Sequence, residues 1–257
     1  MPAGTGYNPL LLGEAVRRMV SRGVERKYYR FRGGRWYGGI STADCVGCNL
    51  RCVFCWSREP REKPWLGKWR FYAPEEVYGR IRVIALKKGY TQLRISGNEP
   101  TLAWEHLLRV LELVEEDGLF TFILETNGIE IGADKSKARD LSKFTHVHVR
   151  VSLKGTSHEE FHKLTGAREE FYEYQLSALK NLADYGVPAH PAVMLSFSSE
   201  ASYRSLLERL GEIDPRYVKD FEEEYVFLYP HVVENLRKAG LSPRVAYSPD
   251  EIPDELV

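Results

Sequence analysis

All four cysteines of this 257-residue chain fall in one stretch, Asp44 to Trp56, which reads DCVGCNLRCVFCW. They stand at positions 45, 48, 52 and 55, with no cysteine elsewhere to pair with. Clustered thiols of this kind suit a metal or a cluster better than disulfide staples. Cys48-x3-Cys52-x2-Cys55 offers three thiolates from one tight loop. An iron–sulfur cluster of four irons usually takes four cysteines, so three leave one iron open to a non-protein ligand. Cys45 sits at the wrong spacing to replace any of the three. If it joined them the site would be closed, and a closed four-thiolate site suits structural zinc. A second metal pattern, His158-Glu159-Glu160-Phe161-His162, spells H-E-x-x-H. A zinc protease needs a long apolar helix around that motif, and Thr165-Gly166 stops this one.

The elements that would position these residues alternate. Asn8-Pro9 opens a helix to about Ser21, and residues 36–44 read as a strand leading into the cysteine loop. Pro74-Glu75-Glu76 opens a helix with an apolar stripe at Val77, Ile81, Ile84 and Ala85. TQLRIS, FTFILET, HVHVRVSLK and PAHPAVML read as strands, with helices between and after them to about residue 210. This β/α alternation predicts a parallel sheet with crossover helices. In residues 145–154 the faces differ sharply. Thr145, Val147, Val149, Val151 and Leu153 share one side, and His146, His148, Arg150, Ser152 and Lys154 share the other. Gln92, Arg94 and Ser96 repeat the pattern against Leu93 and Ile95. A doubly wound sheet would read apolar on both faces. The fold expected is therefore α/β, a partial (β/α)6-type TIM-like barrel with a polar lumen. It would carry an N-terminal helix and hairpin and a C-terminal helical extension. The divisions expected are 1–35 for the N-terminal helix and basic arm, 36–210 for the barrel, and 211–257 for the acidic extension.

Thirty-six basic and 36 acidic residues cancel, so net charge points to neither nucleic acid nor membrane. The distribution is uneven. Residues 1–36 carry eight Arg or Lys against two acids, and Glu222, Glu223 and Glu224 cluster near the other end. The basic arm, with its aromatics, reads either as a solvated face or as a surface for an acidic partner. In the second case Arg26, Lys27, Arg30, Arg32 and Arg35 would meet phosphate. Tyr29, Phe31 and Gly33 would share one face of a strand and Arg30 and Arg32 the other. No run approaches the about 18 apolar residues of a membrane span, and the Arg-rich start lacks the apolar core of a signal peptide. The expectation is a reducing cytoplasm and no membrane partner.

Cys48-x3-Cys52-x2-Cys55, with Phe54 before the last cysteine, resembles the signature of the radical S-adenosylmethionine superfamily. Ser96-Gly97-Asn98-Glu99-Pro100 resembles that superfamily's Gly-Gly-Glu-Pro motif. Glu125-Thr126-Asn127-Gly128, Val151-Ser152-Leu153-Lys154-Gly155 and His162-Lys163-Leu164-Thr165-Gly166 follow in order. Together they are most similar to the glycyl-radical activating enzymes of the pyruvate formate-lyase activase kind. The likeness covers roughly residues 38–196. Asn98 replaces the second Gly of the pair, and Ser152 replaces the Asp of the D-L-K motif. Phe54-Cys55-Trp56 with Lys68-Trp69-Arg70 also resembles the radical enzymes of the wybutosine pathway in tRNA.

The resemblance implies one [4Fe–4S] cluster on Cys48, Cys52 and Cys55 and S-adenosylmethionine on its open iron. Gly97 would let backbone approach the methionine end, with Asn98 beside it. Glu99 would meet the ammonium, and Phe54 the adenine. Asn127 and Ser152 would bond ribose hydroxyls or the methionine head, Lys154 the carboxylate, and His190 the ribose. Cleavage would yield a 5′-deoxyadenosyl radical for hydrogen abstraction. A flavodoxin- or ferredoxin-type reductant is implied, with a glycyl-radical protein or a tRNA as substrate. A reading of another class is an iron–sulfur or zinc module without catalysis, which would engage Cys45 as a fourth ligand.

Overall fold

The computed structural model describes residues 6–253 and 256. A helix at Pro9–Val20 opens the fold, capped by Asn8, whose Oδ1 accepts the amides of Leu10 and Leu11 at 2.9 and 3.2 Å. Strands β1 (Ser21–Arg22) and β2 (Glu25–Gly34) form a hairpin. Strands β3 (Ile40–Cys45) and β4 (Arg70–Tyr72) both pair antiparallel with β2. From β3 onward the sheet is parallel. Its members are β5 (Gln92–Ser96), β6 (Thr121–Thr126), β7 (Val147–Leu153), β8 (Ala189–Met194) and β9 (Glu222–Glu224), each beside its predecessor. Strands β10 (Val226–Phe227) and β11 (Ala246–Tyr247) pair separately.

Six parallel strands linked by helices make the expected (β/α)6 partial barrel. The helix Pro74–Lys88 shows why such segments hold. Pro74 sits at its start, Glu76 accepts the Ala73 amide at 3.0 Å, and Gly89 closes it in the left-handed region. Val77, Ile81 and Ala85 are fully buried against the sheet. The outward faces of the strands feed this core: Val147, Val149, Val151 and Leu153 are all buried. Their neighbours Arg150 and Ser152 face the lumen and are buried as well.

The basic arm is built into this sheet as β2. Tyr28 lies opposite Cys45 and Arg30 opposite Asp44, so Tyr29 is an extra residue on the β2 side. This bulge overturns the simple alternation. Tyr28 and Phe31 stack at 5.7 Å on the core side, while Tyr29 turns to Ser57 and Trp69. Nor does the arm offer five cations to phosphate. Arg26 is buried, its Nη atoms donating to the carbonyls of Pro100, Val46 and Glu99, and Lys27 donates to the Pro64 carbonyl at 2.9 Å.

The acidic cluster at Glu222–Glu224 forms β9, the last parallel strand. Among the described residues β9 pairs only with β8, so the barrel does not close by a ladder. Side chains bridge the seam instead. Tyr37 Oη donates to Glu222 at 3.1 Å, and the Trp36 and Phe227 rings lie 6.0 Å apart. Tyr37 adopts φ 55°, rare for a bulky residue, and Gln92 of β5 holds its carbonyl at 2.9 Å. No described helix is long and apolar enough to cross a membrane.

Candidate functional site

A cavity of about 520 Å³ opens at the carboxyl ends of β3, β5, β6 and β7, where ligands bind in open α/β sheets. Cys48, Cys52 and Cys55 line it, with Phe54 between the last two. The cysteine loop is held from several sides. Val53 donates its amide to the Leu164 carbonyl at 2.9 Å, which ties the loop to the end of the helix His158–Thr165. Arg61, itself buried, donates to the Cys52 carbonyl at 2.5 Å. The Leu50 amide donates to Cys48 Sγ at 3.3 Å. Burial pushes the Cys52 thiol up to about 11, against the pull of Lys154, while Cys55 adds to the rise and Arg61 opposes it. Burial, then Glu99 and Cys52, push Cys48 up further. Such thiols bind metal only as they lose their protons, so cation binding and deprotonation are coupled.

Cys45 stands apart. It is fully buried, does not line the cavity, and its Sγ accepts from Arg26 at 3.2 Å. Among the described residues no three His, Cys, Asp or Glu side chains converge as a cage for one ion. A cluster asks for something else, one thiolate for each of several irons and so sulfurs spread round a volume. The H-E-x-x-H histidines do not meet a common ligand either. His158 pairs with Glu173 at 2.6 Å, and His162 Nδ1 donates to the Ala167 carbonyl at 2.6 Å.

The loop after β5 forms the next wall. Gly97 has φ +89°, and a Cβ there would come within 2.9 Å of Tyr29 Oη and 3.0 Å of Asp44 Cβ, so only glycine fits. Asn98 Nδ2 donates to the Cys45 carbonyl and to Ser57 Oγ, while its Oδ1 is buried with no partner. An orphaned acceptor on a cavity wall calls for a donor from a ligand. Glu99 is buried and fixed by four donors. Its Oε1 accepts from the Thr101 amide and from the Thr101 and Thr126 hydroxyls, and its Oε2 from the Asn127 amide at 2.8 Å. Asn127 in turn braces the cysteine loop, donating to Asn49 Oδ1 at 2.7 Å and accepting the Ile129 amide.

The opposite wall is an ion network. Arg150 binds Glu222 at 3.0 and 2.5 Å and Glu224 at 2.9 Å. Ser152 donates to Glu224 at 2.7 Å and accepts from Lys154, whose ammonium lies 3.5 Å from Glu224. Burial opposes ionisation of Glu222, yet Arg150 and His190 hold it well below the usual carboxylate range. Lys154 and Arg150 do the same for Glu224. Arg94 and Ser96 both donate to Glu125 at 2.5 Å.

Of the residues expected at the site, Phe54, Gly97, Asn98, Glu99, Asn127, Ser152 and Lys154 line this one cavity with Cys48, Cys52 and Cys55. His190 does not. It is the second residue of β8, level with Arg150, and sits below the cavity between His148 at 2.7 Å and Glu222 at 2.9 Å. The reading that placed it at the strand's end put it too near the mouth. Arg61, Glu222, Glu224 and the aromatic rim of Tyr225, Phe227 and Tyr229 also line the cavity and were not singled out. The rim was legible as an alternating run, E-Y-V-F-L-Y, directly after the acids.

Residues 44–210 match the radical SAM superfamily, and the chain belongs to it. Members use a [4Fe–4S] cluster and S-adenosylmethionine, and the chain is accordingly a radical SAM enzyme. Among curated proteins it is 27% identical over 162 residues to the GTP 3′,8-cyclase of Paenarthrobacter nicotinovorans, covering 62% of this chain and 44% of that one. The Yersinia pestis GTP 3′,8-cyclase is 26% identical over 148 residues, covering 58% and 40%. The match thus spans less than half the length of these relatives. Among solved structures, Streptococcus suis SuiB bound to S-adenosylmethionine superposes with a TM-score of 0.59 at 18% identity, over 76% of this chain and 44% of that one. A spore photoproduct lyase variant with bound AdoMet and dinucleoside spore photoproduct gives 0.60 at 12% identity, over 95% and 73%. At these identities the two structures speak for the fold.

Proposed function

We propose that Cys48, Cys52 and Cys55 hold the cluster, and that the wall formed by Gly97, Asn98 and Glu99 receives the methionine end of S-adenosylmethionine. The observation that carries this reading is that three thiols and an orphaned Asn98 Oδ1 face one cavity beside a loop only glycine can form. When bound, cluster and S-adenosylmethionine supply a 5′-deoxyadenosyl radical that takes hydrogen from the substrate. The chain's own residues do the rest. Asn98 Oδ1 accepts from the ammonium. Glu99, pinned by four donors, keeps the loop after β5 from shifting and adds negative charge nearby. Lys154 presents a cation to the carboxylate, Phe54 an apolar surface to the adenine, and Asn127 and Ser152 polar edges to the cofactor. The aromatic rim keeps bulk water from the lumen.

The order of motifs from the cysteine loop to His162-Lys163-Leu164-Thr165-Gly166 favours a glycyl-radical protein as hydrogen donor, with a flavodoxin- or ferredoxin-type reductant. A tRNA is the second reading. It is favoured by a shallow outer groove lined by Tyr29, Arg30, Trp56, Arg58, Lys63 and Trp69, which mixes stacking rings with cations. The test is anaerobic reconstitution with iron and sulfide, reduction, and chromatography of the products. Slow release of 5′-deoxyadenosine and methionine without substrate is expected. A protein with a full cluster that releases neither would refute the catalytic reading. Deuterium carried from a labelled protein or tRNA into 5′-deoxyadenosine then separates the two substrates.

A further inference from the structure

The cations of the lumen are not matched to carboxylates evenly. Arg94 has Glu125, Arg61 has Glu62, and Arg150 has both Glu222 and Glu224. Arg30 and Arg32, two residues apart on β2, share one carboxylate, that of Asp44. Asp44 is fully buried, and its Oδ2 accepts from Arg30 Nε at 2.6 Å and Arg32 Nε at 2.8 Å. Arg32 Nη2 reaches Asp44 Oδ1 at 3.2 Å. Both terminal nitrogens of Arg30 and Nη1 of Arg32 have no hydrogen-bond partner among the described residues. Both guanidiniums line the cavity, whereas Asp44 behind them does not.

Two further features keep these free donors in place. The Trp56 indole lies 5.5 Å from the Arg30 guanidinium and 5.9 Å from that of Arg32, so a single ring positions both heads. Gly34 leaves space beside Arg32, where a Cβ would stand 3.3 Å from Nη1. Asp44 also abuts Gly97, which puts the pair next to the proposed cofactor wall. A wall with one uncompensated positive charge, several free N–H groups in fork geometry and an aromatic brace is suited to a planar or tetrahedral oxyanion.

Building on the proposed function, we propose that Arg30 and Arg32, braced by Trp56, form an anchoring subsite for an oxyanion of the substrate, a carboxylate or a phosphate. The site lies on the wall opposite Lys154, which the proposed function gives to the cofactor. The hydrogen donor is then an anionic molecule or an anionic stretch of a larger one, held by its charge beside the reacting centre. Trp56 follows Cys55 directly, so the same short segment that carries a cluster thiol also aligns the anchor.

The experiment is calorimetric titration of the full chain with inorganic phosphate and with acetate, at low salt, with and without saturating S-adenosylmethionine. Saturable binding of at least one probe is expected, at least tenfold weaker in Arg30→Gln/Arg32→Gln. The charge-matched control Arg17→Gln/Arg18→Gln, on exposed positions of the first helix, should bind as the wild type does. Arg30→Gln alone, a change at a half-exposed side chain, should lose several-fold and serves if the double variant does not fold. Phosphate tighter than acetate by tenfold assigns a phosphoryl-bearing substrate, and acetate equal or tighter assigns a carboxylate. No saturable binding of either probe overturns the proposal. So does equal binding by wild type and the Arg30/Arg32 variants, an equal loss in the control, or abolition of probe binding by S-adenosylmethionine. The probes need neither cluster nor reductant, so a chain that fails to cleave S-adenosylmethionine still answers this question.

Discussion

The two walls of the cavity handle their polar groups in opposite ways. On the wall of β7 to β9, Arg150, Ser152, Lys154, Glu222 and Glu224 bind one another. On the wall made by β2, the cysteine loop and the loop after β5, three thiols, Asn98 Oδ1 and the outer nitrogens of Arg30 and Arg32 face the cavity with capacity to spare. Saturated polar groups specify shape, and removing one leaves its partners stranded. Unsaturated groups cost stability until a ligand fills them. The first wall is scaffold and the second is where ligands are held.

The largest effect should come from the open wall and concern function rather than folding. Replacing any one of Cys48, Cys52 or Cys55 by Ala should abolish the brown chromophore and 5′-deoxyadenosine release, while the apoprotein melts within a few degrees of wild type. Cys45→Ser should keep the chromophore, since its thiol bonds to Arg26 and lies off the cavity. Loss of chromophore in the Cys45 variant would break the division of the four cysteines.

On the closed wall the effect should fall on folding. Arg150→Met leaves two buried carboxylates without their cation and should cost about 3–5 kcal/mol, read from urea midpoints. Adding Glu222→Gln should recover part of it. An Arg150→Met chain as stable as wild type would erase the contrast between the walls.

Acid sharpens the same contrast. Burial lowers His106 to about 4, and burial together with His190 lowers His148 to about 4. The unfolded chain, with ordinary values near 6.5, therefore binds these protons first, and stability must fall as pH drops from about 6.5 to about 4. For His106, buried against Tyr28, the loss is roughly 3 kcal/mol. Urea titrations at pH 7 and pH 4.5 check it. His106→Gln should flatten the slope, and a slope unchanged in that variant counts against the assignment.

The smallest effect belongs to the seam between the walls. Tyr37→Phe removes one hydrogen bond to Glu222 and should cost about 1 kcal/mol in the same assay.

Much of the scaffold could be read from residue patterns, because burial leaves a clear periodicity. The alternation of Val149, Val151 and Leu153 with Arg150, Ser152 and Lys154 gave both the strand and its polar lumen face. The thiol spacing and the glycine at 97 placed the cofactor side, because a tight loop and a positive φ restrict residue choice severely. Three things stayed hidden. Three consecutive glutamates carry no strand propensity, and only their pairing with β8 and Arg150 makes β9 a strand. The extra residue at Tyr29 reverses which side chains share a face, and a bulge has no fixed composition. His190 was misplaced by a register error: the strand begins at Ala189, so its second residue lies deep rather than at the mouth.

The unclosed edge has a mechanical consequence. Between any two paired strands of the barrel, prising the wall apart would break a row of backbone hydrogen bonds together. Across the seam it would break the Tyr37–Glu222 bond and part the rings of Trp36 and Phe227, a cost on the order of 2 kcal/mol. The cavity therefore has one soft direction. A bulky guest can be admitted by springing that joint while the cofactor wall, on the far side of β3, keeps its geometry.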